Sequence, residues 1–150
     1  MQTESLTSAD VRLFEEAKAQ LEASFHQDRH VVAAALRTVN GAVHRGLHLG
    51  SRRVNVCAES SAMANAAMTG DEFVETIVAV CRDVRGRVIV TNPCGLCREL
   101  LGQYGPNAHV IVDLAGEVRK VPASALLPNP WMFPHETAWT VEEPSQQAQE

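Results

Sequence analysis

This sequence has no apolar run long enough to cross a membrane, no excess of positive charge and few aromatic residues. A transmembrane helix needs about 20 consecutive apolar residues, and no such run occurs in the 150-residue chain, so we expect no membrane partner. The formal net charge is −5, whereas proteins that bind a phosphate backbone present a basic surface. The sequence therefore predicts a small-molecule partner and no nucleic acid.

Cysteine is also scarce, with four residues in the whole chain. The first ten residues are polar and acidic and lack the apolar segment of a secretory signal, so we expect a cytoplasmic location. Cysteines stay reduced in that compartment. The four cysteines are therefore expected to serve as metal ligands or as a buried thiol, and not to form disulfides.

Length and composition predict one domain over residues 1–135. A chain of 150 residues is long enough to bury a hydrophobic core of its own. Beyond this domain Glu, Gln, Pro and Ser dominate, and such a composition buries too little apolar surface to fold. We expect residues 136–150 to form a disordered tail.

The hydrophobic pattern predicts alternating helices and strands. A helix is expected over residues 6–25, with Ser8 as the N-cap and Val11 at its third position, and hence without a capping box. Further helices are predicted over 57–68 and 94–104, strands over 31–38, 42–49, 76–81, 108–113 and 118–121, and a short extended stretch over 88–91. This alternation predicts an α/β fold with helices on both sides of a mixed sheet, here of five strands.

The residues suited to chemistry fall in two separate segments, Cys57-Ala58-Glu59 and Pro93-Cys94-Gly95-Leu96-Cys97. Structural zinc sites usually close all four positions with Cys or His, whereas catalytic sites keep three protein ligands and leave the fourth position to water. Cys57, Cys94 and Cys97 therefore predict an open Zn²⁺ site. Glu59 would be a base beside it.

Two other interpretations of the cysteines are weaker. A Cys-x-x-Cys pair also occurs in redox loops, but a thioredoxin-like motif would follow the first strand of a domain, and this pair lies past the middle of the chain. A structural zinc site would need a fourth Cys or His at ligand spacing, and the sequence has no second Cys-x-x-Cys. The open site remains the favoured interpretation.

Both metal-binding segments are predicted at helix starts, with Cys57 opening one helix and Cys94 the other. Three thiolates overcompensate the charge of Zn²⁺, which would weaken the pull of the metal on its water. A helix N-terminus carries a partial positive charge and free N–H donors. We therefore expect two helix N-termini to offset part of the excess charge.

The order Cys-x-Glu followed by Pro-Cys-x-x-Cys is similar to the signature of the zinc-dependent cytidine deaminase family. The similarity extends over residues 8–133. The segment 32–36 resembles the family's Val-Gly-Ala-Ala-Leu, 93–99 its Pro-Cys-Gly-x-Cys-Arg-Gln, and 126–128 its Leu-Leu-Pro. Within the family, the short gap before Cys57 is most similar to that of the blasticidin S deaminases.

The resemblance implies a three-layer α/β/α fold and the chemistry of that family. A zinc-bound hydroxide would attack the ring carbon that bears the amino group, and Glu59 would be the catalytic residue that shuttles protons. The substrate contacts would come from His48, Asn55, Ala58 and Pro93. Small members of the family are homotetramers with active sites completed by neighbouring subunits, so we expect a homotetramer or a dimer.

Three positions depart from the family pattern. The Asn-x-Glu that holds the ribose in cytidine deaminases falls on His48 and Gly50, so the sugar contact is altered or lost. Ser60 replaces the Arg that often follows the catalytic Glu, which leaves Arg98 or the helix N-termini to offset the charge at the zinc. The Phe that commonly lines the base pocket is replaced near His30.

The sequence thus leads to one hypothesis and two alternatives. The first is a zinc-dependent hydrolytic deaminase that acts on a cytosine-like nucleoside or a related amino-heterocycle and releases ammonia. One alternative is a deaminase of aminonucleoside antibiotics of the blasticidin S type. The other is a non-catalytic, zinc-stabilised binding module.

Overall fold

The computed structural model describes residues 1–136. The predicted disordered tail lies outside these residues apart from Glu136, and so does Trp139. The described helices are α1 (Ser8–Ser24), α2 (Ala58–Met68), α3 (Gly95–Tyr104) and two short 3₁₀ helices, Ala123–Leu126 and Pro134–Glu136. The strands are β1 (Val32–Thr38), β2 (Val43–Leu47), β3 (Leu49–Gly50), β4 (Asn55–Val56), β5 (Val74–Arg82), β6 (Val88–Thr91), β7 (His109–Leu114) and β8 (Glu117–Pro122).

The sheet is mixed, with the order β2-β1-β5-β7-β8 and with β6 also paired to β5. The pair β5 and β7 is parallel, and the pairs β1–β2, β1–β5, β5–β6 and β7–β8 are antiparallel. Strands β3 and β4 form a separate two-stranded ribbon. This ribbon leads directly to Cys57, the first cysteine of the motif, and α2 begins at the next residue.

The sheet has six strands where five were predicted, because β6 pairs with β5. One half of β5 pairs with β7 through residues 76–78, and the other half pairs with β6 through residues 79–82. The sequence predicts 88–91 as a short extended stretch and does not indicate its partner. Its pairing depends on the hairpin at 83–87, in which the Asp83 side chain accepts hydrogen bonds from the backbone of Arg85 and Arg87.

Helices cover both faces of the sheet, which confirms the predicted three-layer α/β/α arrangement. Alternate residues of β1 point to opposite faces, as in any strand. Ala33 and Ala35 pack with α1, whereas Ala34 and Leu36 pack with α2 and α3. Among residues 1–136, no helix is both long enough and apolar enough to cross a membrane.

The start of α2 lies directly against β2 at Gly46. A Cβ atom at this position would overlap the carbonyl oxygen of Ala58 and the backbone nitrogen of Ala62. Both alanines are fully buried. The absence of a side chain at Gly46 therefore determines how closely the first turn of α2, which carries Glu59, approaches the sheet.

The N-terminus of α1 is capped by Thr7, so the prediction of Ser8 as the N-cap without a capping box was wrong. Thr7 Oγ1 accepts from the Asp10 backbone N–H at 3.2 Å, and Asp10 Oδ2 accepts from the Thr7 N–H at 2.9 Å. Asp10 is fully buried and also accepts from Arg37 Nη2 at 3.0 Å and Lys120 Nζ at 2.9 Å. This carboxylate joins α1 to β1 and β8, contacts that local sequence spacing does not reveal.

The charge of Asp10 is stabilised by its partners. Burial raises the pKa of the carboxyl group, but the hydrogen bonds from the Thr7 backbone, Lys120 and Arg37 outweigh it and hold the pKa well below its usual range.

We expect Asp10→Asn to lower the free energy of unfolding by about 3 kcal/mol at neutral pH, since two cations lose their buried partner. Glu75→Asn, which removes an exposed partner of Arg37, should cost less than about 1 kcal/mol.

The pH dependence of this effect has a definite sign. Because the folded-state pKa of Asp10 is depressed, its contribution is complete above the unfolded pKa of about 3.9 and is lost as the pH falls towards the folded value. Denaturant unfolding at pH 7 and below pH 4 should therefore show the gap between wild type and Asp10→Asn narrowing in acid. A gap that widens in acid would contradict this account.

Gly46 provides a second test of the fold. We expect Gly46→Ala to lower the free energy of unfolding by about 2 kcal/mol, because the new methyl group forces α2 away from β2. Gly102→Ala is the matched control, since a Cβ atom there meets nothing within 4 Å and the helix gains a better helix former. Equal effects of the two substitutions on thermal unfolding would show that the contact with α2 is unimportant.

Candidate active site

Two helix N-termini bring the cysteine segments together. Cys57 is the N-cap residue of α2, and Cys94 is the N-cap residue of α3. Both have extended backbone conformations, and Cys97 lies in the first turn of α3. The predicted positions of Cys57 and Cys94 at helix starts are confirmed, although both residues precede the first helical residue by one position.

The three predicted metal ligands converge. The Sγ atoms of Cys57, Cys94 and Cys97 all lie within 4.8 Å of one another, and those of Cys57 and Cys94 are 3.3 Å apart. Tetrahedral Zn²⁺ with Zn–S bonds of about 2.3 Å would separate its sulfur ligands by about 3.8 Å. The donor set is thus of the right type, number and spacing for zinc.

The thiols differ in their protonation equilibria. Burial raises the pKa of Cys57 and of Cys97, and the charge of Glu59 raises that of Cys97 further. For Cys94, burial is outweighed by the backbone N–H groups of Cys97 and Leu96 and by the Cys57 side chain, so its pKa is lowered. The first turn of α3 therefore favours a thiolate at Cys94, as the helix-start argument predicted, whereas the start of α2 does not lower the pKa of Cys57.

Glu59 lies at the start of α2 and is almost completely buried, with 6% of its surface exposed. Burial raises the pKa of its carboxyl group, and hydrogen bonds from its own backbone N–H and from Cys97 offset this in part. A carboxyl group whose pKa is raised towards neutrality can both accept and return a proton. The structure therefore places a buried carboxyl group with a raised pKa in the helix turn that follows Cys57.

The turn that carries Cys94 is fixed by contacts that the sequence analysis did not identify. Asn92 Nδ2 donates to the Asp113 carbonyl oxygen, and Asn92 Oδ1 accepts from the Asp113 N–H, both at 2.9 Å. Arg98 Nε donates to the Pro93 carbonyl oxygen at 2.8 Å, and its Nη1 donates to that of Leu126 at 3.2 Å. The Asn-Pro pair before Cys94 was the available signal for a constrained turn.

The charge of the cluster is offset in a different way from the common family pattern. Ser60, where an arginine is frequent, places its Oγ 3.6 Å from Cys97 Sγ. The Arg98 guanidinium is held beside the Cys94 turn by the carbonyl groups of Pro93 and Leu126. The Ser60 hydroxyl and the N–H groups of α3 thus contact the sulfurs directly. The Arg98 guanidinium instead bonds to the backbone carbonyls of Pro93 in the turn and Leu126 in the first 3₁₀ helix.

The predicted substrate contacts occupy different environments. Ala58 and Pro93 are buried, and Asn55 is exposed on β4. His48 lies between β2 and β3, with Nδ1 3.2 Å from the Val31 backbone nitrogen and Nε2 2.8 Å from Asn55 Oδ1. The structure thus brings His48 and Asn55 together, while their contact with a substrate stays a prediction.

A separate cavity lies beside α3. It has a volume of about 530 Å³ and is lined by Arg98, Leu127, Trp131 and Phe133 among others. The rings of Trp131 and Phe133 meet edge to face, with centroids 4.6 Å apart. These aromatic residues therefore line a cavity next to α3.

Comparison with known proteins gives a consistent result. Residues 7–113 match the family described as the cytidine and deoxycytidylate deaminase zinc-binding region. The chain is 33% identical over 134 residues to the blasticidin-S deaminase of Bacillus cereus, which covers 85% of this chain and 96% of that protein.

Solved structures give the same fold. The cytidine deaminase of Burkholderia pseudomallei has 29% identity and a TM-score of 0.67, over 84% of this chain and 100% of that chain. That of Bacillus anthracis has 22% identity and a TM-score of 0.71, over 83% and 90%. Together with the cysteine cluster, these matches show that the chain belongs to the cytidine deaminase family and is a zinc-dependent hydrolytic deaminase.

Proposed function

We propose that this deaminase removes the amino group from a cytosine-like ring in a nucleoside or a related amino-heterocycle. Water replaces the amine, so that the C–NH₂ bond breaks, a ring carbonyl forms and ammonia leaves. The observation that carries this proposal is a buried carboxyl group, Glu59, in the helix turn that follows Cys57, together with a cluster of three thiols suited to zinc.

In this proposal Cys57, Cys94 and Cys97 hold the zinc ion. A bound zinc ion would supply a Lewis acid that lowers the pKa of a water molecule. Glu59 would take one proton from the attacking water and deliver it to the ring nitrogen. It would then take the second proton from the hydroxyl group added to the ring carbon, as the carbonyl forms, and deliver it to the departing amine. Its buried position supports this role, because the raised pKa lets the carboxyl group hold a proton between the two transfers.

A second candidate substrate is an aminonucleoside antibiotic of the blasticidin S type. A Cβ atom at Gly50 would lie 2.6 Å from the Asp28 carbonyl oxygen and 2.9 Å from His48 Cε1. An acidic side chain at this position, which holds the ribose in the cytidine deaminase pattern, is therefore sterically excluded here. This supports a substrate whose sugar differs from ribose or is recognised in another way, and the Bacillus cereus blasticidin-S deaminase is a relative.

The remaining substrate contacts and the setting are further parts of the proposal. We assign the catalytic domain to residues 1–135, substrate contacts to Asn55, Ala58 and Pro93, and a supporting position beside Asn55 to His48. We also propose a cytoplasmic homotetramer or dimer. Apolar side chains exposed around the cysteine segments support subunit contacts there: Val54 is 62% exposed and Leu96 59%.

The central test is the replacement of Glu59. We expect Glu59→Gln to lower kcat by about 10³-fold, because the amide cannot transfer protons, while one zinc per chain is retained. Ammonia release should be measured with cytidine, deoxycytidine and blasticidin S, and zinc by elemental analysis. Glu22→Gln, an exposed substitution on α1, is the control and should keep wild-type activity.

Metal removal tests the ligand assignment. We expect Cys97→Ala to lose zinc and activity, whereas Cys81→Ala, which removes a cysteine outside the cluster, should keep both.

Zinc must displace protons from thiols whose pKa is raised, so its affinity should increase with pH. Titration with a competing chelator at pH 6 and pH 8 measures this, and an affinity that falls with rising pH would refute the thiolate assignment.

A further inference from the structure

His48 lies between β2 and β3, next to Asn55 on the strand that leads to Cys57, and both of its ring nitrogens are already engaged. Nδ1 is 3.2 Å from the Val31 backbone nitrogen, and Nε2 is 2.8 Å from Asn55 Oδ1. The backbone of His48 is fixed as well, since its N–H donates to the Val32 carbonyl oxygen at 2.9 Å. Its carbonyl oxygen accepts from His30 Nδ1 at 2.8 Å. The ring therefore has no free nitrogen for a substrate.

These contacts determine which nitrogen carries the hydrogen. A backbone N–H can only donate, so Nδ1 of His48 must accept from Val31. A neutral imidazole that accepts at Nδ1 carries its hydrogen at Nε2. Nε2 therefore donates to Asn55, and an oxygen of the Asn55 amide must accept. The orientation of this amide thus follows from a backbone N–H on the other side of His48.

With Oδ1 of Asn55 bound to His48, the free end of the side chain is its NH₂ group. Asn55 precedes Cys57 by two residues in extended backbone, where side chains two apart project to the same side. Asn55 is exposed, whereas Glu59 is 6% exposed and lies deeper. The Asn55 amide therefore presents hydrogen-bond donors at the outer edge of the site that contains the cysteine cluster.

Gly50 makes this arrangement possible. It pairs with Asn55 across the β3–β4 ribbon, and a Cβ atom at Gly50 would lie 2.9 Å from His48 Cε1 and 3.3 Å from its Nε2. The imidazole ring thus occupies the space that a side chain at Gly50 would need. His48, Gly50 and Asn55 form one unit, in which the ring passes over the glycine to reach the asparagine.

We propose that Asn55 orients the substrate by donating a hydrogen bond from Nδ2, and that His48 is a positioning residue that fixes the amide in this orientation. The acceptor is a hydroxyl or carbonyl oxygen on the part of the substrate outside the reacting ring. This inference rests on the proposed deaminase function and adds a specificity determinant to it. His48 acts through Asn55 and does not bind the substrate itself.

A double-mutant cycle tests the coupling. Asn55→Ala removes one neutral hydrogen bond and should raise KM about fivefold. KM is measured with whichever of cytidine and blasticidin S the enzyme turns over. Asn55→Asp keeps the acceptor for His48 but has no donor, so it should raise KM at least as much. His48→Ala should raise KM less, and adding it to Asn55→Ala should cause no further increase. Zinc content and kcat should change little in all of these variants.

Two results would overturn the proposal: KM effects of His48→Ala and Asn55→Ala that multiply in the double variant, or an unchanged KM in Asn55→Asp. A merely structural role of His48 would lower stability in both backgrounds and would not cancel in the absence of Asn55.

Two readouts do not depend on turnover. Nitrogen-15 NMR of the zinc-loaded protein should show neutral His48 with its hydrogen on Nε2, and a hydrogen on Nδ1 would refute the assignment. Calorimetric binding of cytidine and blasticidin S to Glu59→Gln should weaken about fivefold when Asn55→Ala is added. Binding without turnover by the wild type would contradict the deaminase function but would leave this inference supported. Absence of binding would overturn both.

Discussion

The convergence of three thiols in a partly buried site is the constraint on which the rest of the structure depends. Their Sγ atoms lie within 4.8 Å of one another, so deprotonating one thiol raises the cost of deprotonating the next. A cation removes this conflict, and the N–H groups at the start of α3 reduce it. Glu59 adds a carboxyl group to the same cluster, and its burial keeps its own charge costly. A site that disfavours negative charge is therefore completed by zinc.

The cysteine cluster is held in place by residues that we assign no part in the reaction, namely Gly46, Asn92 and Arg98. Gly46 lets the start of α2 lie directly on β2, which determines the depth of Glu59. Asn92 and Arg98 attach the Cys94 turn to β7 and to the first 3₁₀ helix. Since the two cysteine segments open different helices, errors in either attachment would separate the sulfurs. The rigidity of the site thus derives from backbone-directed hydrogen bonds and one close helix–strand contact.

Substrate recognition at the edge of the site depends on three residues together, His48, Gly50 and Asn55. His48 replaces one polar side chain of the family pattern, and Gly50 replaces another. In the structure these changes are coupled, because the ring of His48 fills the space beside Gly50 and bonds to Asn55. Considered separately, each position indicates only the loss of a sugar contact. Considered together, they provide a different hydrogen-bond donor at the same edge.

The sequence by itself determined the fold class, the two helix starts and the three thiols with their carboxyl group, because helix periodicity and ligand spacing are local properties. It did not identify the pairing of β6 with β5, the contacts of Asp10 with Arg37 and Lys120, or the bond between His48 and Asn55. These contacts join residues from separate elements, and their partners depend on sheet order and on which side chains share a face. Only the tertiary structure decides such contacts, since the energy that selects them comes from burial and hydrogen bonding between segments that are remote in sequence.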